Sequence, residues 1–185
     1  MSAQAPSNQL LETDDAIILL LGAPGATERD RGRIEGITRL EKLLFLLEME
    51  TEATSWLKEK ADFSADNFGP FSSKAYQEIE TLTSYGLITD SATLSESAED
   101  SWESEHIIGE TPAEPYATRN FALTEKGERY YRKLLEMLPP EAEAVVSELK
   151  RRFGSIPLRR LIRYVYQRYP AFTVNSIIRD EILGT

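Results

Sequence analysis

The stretch Asn67–Asp90 reads NFGPFSSKAYQEIETLTSYGLITD and contains the signals for a turn, a helix and a strand in succession. Pro70 disfavours helical geometry in the residue before it, so the helix cannot begin earlier than the serines. Ser72 or Ser73 is placed to cap the helix, because a serine hydroxyl accepts a hydrogen bond from a free first-turn N–H group. Gly86 stands where a left-handed C-terminal cap is needed.

The predicted helix has one apolar face, formed at helical spacing by Ala75, Tyr76, Ile79, Leu82 and Tyr85. Leu87-Ile88-Thr89 follows the glycine and favours a short strand. A capped helix, a glycine stop and a strand are typical of winged helix-turn-helix domains. The predicted fold is therefore mainly α with a small β-wing, a winged helix-turn-helix core plus C-terminal helices.

Composition excludes several classes of protein. The chain has 185 residues, 41% hydrophobic and 28% charged, which fits one globular domain or a small domain with a substantial appendage. It has no cysteine, so disulfides, zinc fingers and thiol catalysis are excluded. The longest apolar run, Ala16–Leu21, is far shorter than the ~20 residues that span a bilayer. Asp14 and Asp15 precede this run where a secretory signal has basic residues, so we expect a cytoplasmic protein without membrane contact.

The order of signals divides the chain into three parts. Residues 1–12 are small and polar, and we expect a flexible N-terminus. Residues 13–138 form the winged-helix-like domain, with an acidic wing insert at 90–115. Residues 139–185 form a basic helical extension that packs on this core.

Two helices and a linker precede the opening stretch. A first helix is predicted to begin near Thr13 and to end at Gly22-Ala23-Pro24-Gly25, and the charged segment Thr27–Glu35 favours a mobile linker. In the second helix Thr38 and Glu41 have capping-box spacing. Its wide apolar stripe predicts the centre of the core: Ile37, Leu40, Leu43, Leu44 and Leu47. Residues 51–61 suggest a further helix anchored by Trp56 and Leu57.

The predicted wing is long and acidic. Residues 90–115 contain seven glutamate or aspartate residues after Asp90 and no lysine or arginine, which indicates a functional or disordered loop. Tyr116–Leu123 alternates like a strand and is predicted to pair with Leu87–Thr89. Thr124 then caps a helix whose inward residues are Tyr130, Tyr131, Leu134, Leu135 and Leu138.

The basic residues are concentrated at the C-terminal end. Residues 149–185 contain eight basic and two acidic residues, a net charge of +6, whereas the whole chain carries −10. A helix opened by Pro157 has Leu158, Leu161, Ile162, Val165 and Tyr169 on one face. Its other side carries the candidate polyanion-binding residues Arg159, Arg160, Arg163 and Arg168. Tyr164 and Tyr166 adjoin them, an arrangement that suits phosphate contact and base stacking.

The plainer interpretation is that the tyrosines belong to the core. The arginines would then pair with glutamates of a neighbouring helix, and the basic end would neutralise the acidic body.

A second candidate nucleic-acid surface is the helix in the opening stretch. Lys74 and Gln77 are the exposed residues of a type that reads bases or anchors phosphates. Glu78 and Glu80 on the same helix would repel a phosphate backbone. This helix is therefore a poor predicted reader of DNA.

Catalytic motifs are missing from the sequence. His106 is the only histidine, and one histidine beside carboxylates lacks the three or four ligands of a metal site. There is no phosphate-binding loop and no G-x-S-x-G nucleophile motif. We expect no enzyme activity, cofactor, metal or small-molecule substrate; the enzyme alternative would require a pocket around His106.

Several segments together resemble one family. TRLEKLLFLL, NFGPFSS, YGLI, FALTEKG and LIRYVYQRYPAFTVNS, within residues 36–180, resemble the YwgA-like proteins and, more distantly, the Panacea antitoxin domains related to SocA. The resemblance implies a winged-helix-like fold, no catalytic residues, and a role in regulation, antitoxin action or prokaryotic defence.

Two functions are left open by the sequence. The first is a non-catalytic regulatory protein that is DNA-associated or antitoxin-like. The alternative is a protein–protein adaptor subunit of a defence or toxin–antitoxin complex. In either case we expect a protein partner or self-association, and DNA is a candidate partner.

Overall fold

The molecule is mainly helical with a small antiparallel sheet. Two buried helices, Thr13–Gly22 and Ile37–Glu50, form its centre. The computed structural model describes residues 11–91, 93–94 and 117–184. The helices are α1 (Thr13–Gly22), α2 (Ile37–Glu50), α3 (Ser73–Ser84), α4 (Glu125–Met137), α5 (Ala142–Phe153), α6 (Leu158–Arg168) and α7 (Arg179–Leu183). The strands are β1 (Arg33–Glu35), β2 (Ser64–Asp66), β3 (Gly69–Phe71), β4 (Ile88–Asp90), β5 (Thr93–Leu94), β6 (Ala117–Thr118) and β7 (Asn120–Leu123).

The main sheet has three strands in the order β1-β7-β4, all antiparallel. Ile88 lies opposite Leu123, as expected for the predicted return strand. A short pair of strands, β5 and β6, adjoins this hairpin. Most of the acidic insert predicted at 90–115, and the predicted flexibility of residues 1–10, lie outside the described residues.

The predicted mobile linker Thr27–Glu35 is wrong. It contains a short 3-10 helix at Glu28–Asp30 and then β1, which pairs with β7. Ile34 is buried whereas its neighbours Arg33 and Glu35 are exposed. This is the alternation of a half-buried strand, and its charged outer face hid it in the sequence.

Helix α2 is buried on every side. The predicted apolar stripe is confirmed, because all five of its residues are at most 6% exposed. Arg39, Glu41, Lys42 and Glu48 are buried as well. The predicted capping box of Thr38 and Glu41 is wrong: the helix begins after Gly36, without a side-chain cap.

The opening stretch folds largely as predicted. Residues 69–71 form β3, and the Ser72 hydroxyl accepts a hydrogen bond from the backbone N–H of Ala75 at 3.0 Å. Gly86 has a φ of 71°, the left-handed geometry of a helix cap. Tyr85 is 65% exposed, so its predicted place in the apolar face is wrong.

The predicted helix over 51–61 is also wrong. Only one 3-10 turn forms, at Glu52–Ser55. Beyond it, Leu11 pairs with extended backbone: its N–H donates to the carbonyl of Trp56, and its carbonyl accepts from the N–H of Lys58. Extended pairing cannot coexist with a helix, although Trp56 is buried as an anchor.

The C-terminal helices pack against the central ones. Thr124 caps α4 as predicted, accepting from the N–H of Gly127 at 3.1 Å. On α4, Tyr131 and Leu134 are buried, whereas Tyr130 is exposed and donates its hydroxyl to Asp15. Helices α5 and α6 both contact α2. Within the described ranges, no helix is long and apolar enough to cross a bilayer.

Gly69 provides a test of this packing. Its φ is 89°, and an added Cβ would lie 2.6 Å from the ring of Tyr166, which is 1% exposed. We expect Gly69→Ala to lower the free energy of unfolding by about 3 kcal/mol, the combined cost of left-handed strain and overpacking. The matched control is Gly86→Ala, whose added Cβ meets nothing within 4 Å and which should cost about 1 kcal/mol. Urea unfolding measures the free energy of unfolding of both variants. Equal losses would contradict the close packing of Gly69 against Tyr166.

Candidate functional site

The four candidate arginines all lie on the exposed side of α6. Leu161, Ile162 and Val165 form its fully buried side. The exposed residues are Arg159, Arg160, Arg163 and Arg168. The helix therefore has the amphipathic arrangement that the sequence predicts, with its cations facing outward.

Arg159 and Arg163 hold the last helix of the described chain. The Arg159 guanidinium donates to the carbonyl of Glu181 at 2.8 Å, and that of Arg163 donates to the carbonyl of Leu183 at 3.2 Å. These carbonyls belong to the last turn of α7, where helix carbonyls have no partner within the helix and carry partial negative charge. Arg159 also lies 3.9 Å from the Glu181 carboxylate. Two of the four candidates thus have a structural contact.

Arg168 and two tyrosines converge on Glu50, at the end of α2. The Arg168 Nε lies 3.7 Å from Glu50 Oε1, and the hydroxyls of Tyr164 and Tyr169 each donate to the same carboxylate at 2.8 Å. Burial and the bonds to Glu50 raise the pKa of Tyr164, and raise that of Tyr169 to about 12. Tyr166 is 1% exposed and hydrogen-bonds Ser176. The predicted stacking role of Tyr166 is therefore wrong, since its ring belongs to the core.

Arg160 differs from its neighbours. It is exposed, and no side-chain hydrogen bond or ion pair joins it to the part of the chain that the structure describes. Arg152, on α5, instead lies over the rings of Phe153 and Tyr164, at 4.7 and 5.3 Å from their centroids. The basic residues of this region thus differ from one another in their contacts.

Lys150, one of the eight basic residues that give the C-terminal segment its +6 charge, is 1% exposed. Its ammonium donates to the carbonyls of Leu21 and Ala23, at 2.7 and 2.9 Å, and so satisfies the end of α1. Burial lowers its pKa to about 7. Lys150 therefore stabilises the fold and adds no charge to a surface patch.

The exposed face of α3 is acidic around its one lysine. The Lys74 ammonium lies 2.5 Å from a carboxylate oxygen of Glu59. Burial, together with the charges of Asp14 and Glu12, raises the pKa of Glu78. Gln77 is exposed on this face. Helix α3 packs against α1 and β4, whereas α6 packs against α2 and α7, so the two candidate sets lie on helices with different neighbours.

An apolar groove lies between the end of α2 and α5, with a volume of about 570 Å³. Ala144, Val145, Leu149 and Phe153 supply its apolar surface from α5. The charged residues that line it are Glu50, Glu52, Glu141, Glu148 and Arg152. Sequence reasoning missed this groove; the only available signal was the spacing of Val145, Leu149 and Phe153, which predicts a helix face but not an opening beside it.

The described residues provide no cluster for metal chemistry. Among residues 11–91, 93–94 and 117–184, no three histidine, aspartate or glutamate side chains are grouped so as to hold an ion. His106, on which the enzyme alternative depends, lies outside these ranges.

Comparison with models of known protein families gives no match, and neither does comparison with curated protein sequences. The resemblance to YwgA-like proteins therefore stays a prediction from short motifs.

The different contacts of Arg163 and Arg160 predict that their substitution changes the free energy of unfolding by different amounts. Arg163→Ala should lower the free energy of unfolding by about 0.5–1 kcal/mol, because a partly exposed cation at a helix C-terminus is lost. Arg160→Ala is the matched control and should change it by less than about 0.5 kcal/mol. Hydrogen exchange of residues 179–184 should accelerate in the Arg163 variant alone; equal exchange in both variants would contradict the capping role.

Lys150 predicts a pH dependence. Its folded pKa of about 7 lies below the ordinary 10.5, so between these values the unfolded chain binds a proton that the folded chain does not. Stability should therefore rise from about pH 7 to 9, by at most about 1.4 kcal/mol per pH unit. Asp30 opposes the shift and Arg31 adds to it. Urea unfolding of Lys150→Met should show a flatter profile, whereas the exposed control Lys133→Met should keep the rise. A flat profile in the unsubstituted protein would refute this.

Proposed function

We propose that this chain is a non-catalytic winged-helix protein that works as a protein-binding adaptor. The order α1-β1-α2-α3-β4-β7, with strands arranged β1-β7-β4, supports the winged-helix assignment. In that arrangement α3 occupies the position of the helix that reads DNA, and the connection between β4 and β7 is the wing.

Charge on α3 argues against DNA as the main partner. A reading helix needs free cations or amides toward phosphates and base edges. Here Lys74 is paired with Glu59, and Glu78 lies near the acidic residues of α1. The chain as a whole carries −10, which repels a polyanion at long range.

The groove between α2 and α5 is the observation that carries the adaptor proposal. Stable protein contacts form where apolar surface can be removed from water inside a polar rim. In this groove Ala144 and Val145 expose apolar surface above the buried Leu149 and Phe153, with glutamates around them.

Recovery of a partner tests the adaptor function. Tagged protein purified from its native cells should bring down one protein in stoichiometric amount, and the pair should co-elute in size-exclusion chromatography. Repeated recovery of the chain by itself would contradict the proposal.

A second candidate is a DNA-associated or antitoxin-like regulator that contacts a polyanion through α6. The exposed position of Arg159, Arg160 and Arg163 favours it. The resemblance to YwgA-like and Panacea domains points to the same settings for either function, namely regulation or prokaryotic defence.

A mobility-shift assay across salt concentrations separates the two candidates. We expect no complex with duplex DNA at physiological salt and at most weak, sequence-independent binding at low salt, because the net charge of −10 opposes contact with a polyanion. A triple alanine variant at 159, 160 and 163 should change little. Tight binding that this variant abolishes would favour the regulator over the adaptor.

A further inference from the structure

We infer that the groove between the end of α2 and α5 binds a basic amphipathic helix of a partner protein. This inference rests on the adaptor function and adds the site and the chemistry of the partner.

The groove has the size and surface of a helix-binding site. Val145, Leu149 and Phe153 follow one another at four-residue intervals along α5 and line the groove. Leu149 and Phe153 form its buried floor, at 6% and 3% exposed, and half-buried Val145 is the member of the row that reaches solvent. Ala144, small and exposed, lies beside this row and leaves the groove open. A volume of 570 Å³ accommodates about three or four apolar side chains, the number that an i, i+3, i+4, i+7 stripe presents.

The charges around the groove specify the sign of the partner. Four glutamates, Glu50, Glu52, Glu141 and Glu148, line it, against Arg152 as the one basic lining residue. The Arg152 guanidinium already lies over the rings of Phe153 and Tyr164. Lysine or arginine residues flanking the apolar stripe of the partner helix would face these carboxylates, whereas an acidic helix or a nucleic acid would be repelled.

Glu50 is a fixed acceptor at the edge of the groove. The hydroxyls of Tyr164 and Tyr169 both donate to its carboxylate, which holds the side chain in place before a partner arrives. Arg168 also lies 3.7 Å from this carboxylate, so the negative charge open to a partner comes chiefly from Glu52, Glu141 and Glu148.

Helix α6 of a second copy of this chain does not fit as the occupant. Its apolar side (Leu161, Ile162 and Val165) is fully buried in its own core, so a copy could offer that stripe only by unfolding. A basic helix of another protein is the occupant that the charges of the groove favour.

Binding of a model helix tests the inference. The probe is a fluorescein-labelled peptide of leucine and lysine, patterned to give one apolar and one basic helix face, and its counterpart has glutamate in place of lysine. We expect the lysine peptide to bind the full chain and the glutamate peptide not to bind, measured by fluorescence anisotropy. The double variant Glu141→Lys/Glu148→Lys should weaken binding of the lysine peptide at least tenfold.

A matched control separates the groove from net charge. Glu80→Lys/Glu136→Lys changes the total charge equally at exposed sites on α3 and α4, outside the groove, and should change binding less than threefold. Ala144→Gln places a longer polar side chain in the groove without changing charge and should weaken binding at least threefold. Thermal unfolding confirms that each variant is folded.

The other outcomes overturn either the inference or the adaptor function on which it rests. Absence of binding by the lysine peptide, or equal losses in the groove and control double variants, would show that the groove is not a site for basic helices. Equal recovery of a native partner by the unsubstituted protein and by Glu141→Lys/Glu148→Lys would show that the partner does not bind in the groove. The adaptor function would then still stand. Peptide binding without any native partner would instead count against the adaptor function.

Discussion

The buried pair of Glu41 and Lys42 fixes the position of the turn from which α3 begins. Their side chains are 3% and 1% exposed. The Lys42 ammonium donates to Glu41 at 3.2 Å and to the carbonyl of Pro70 at 2.7 Å, and the second Glu41 oxygen accepts from the N–H of Ser72 at 2.9 Å. Removing two charges from water costs several kcal/mol for each ion, and the cost is recovered only when such bonds are complete. The turn must therefore lie against α2.

The position of this turn determines where α3 and β4 lie. Ser72 is both the partner of Glu41 and the cap of α3, so the buried pair sets where α3 begins. The same stretch ends in β4, which joins the sheet through β7. Lys42 and Lys150 have the same structural role, because each donates hydrogen bonds to backbone carbonyls. Lys42 bonds the turn at Pro70, and Lys150 bonds the end of α1 at Leu21. Several cations in this protein hold backbone carbonyls, whereas the exposed face of α3 and the rim of the groove are rich in acids.

The sequence predicted the features that depend on local pattern. Ser72, Thr124 and Gly86 were recognisable as caps because the chemistry of a helix end involves only neighbouring residues. Strand β1 was not recognisable, because two charges flank its single buried residue. The buried pair in α2 could not be foreseen either, since adjacent acid and base in a helix usually face water. The groove joins residues 50–52 to residues 141–153, and no local pattern reports such a distant contact.

The same reasoning explains why charge counting overstates the free positive charge of the C-terminal segment. A net charge of +6 over residues 149–185 suggests a polyanion surface only if the side chains are free. In the fold, Lys150 is buried, Arg159 and Arg163 bond the last turn of α7, and Arg168 lies beside Glu50. Of the glutamates around the groove, Glu50 is paired with Arg168, whereas Glu52, Glu141 and Glu148 have Arg152 as the one basic residue that lines the groove with them. The charge that a surface offers is that of the side chains without a contact inside the fold. Around this groove that charge is negative.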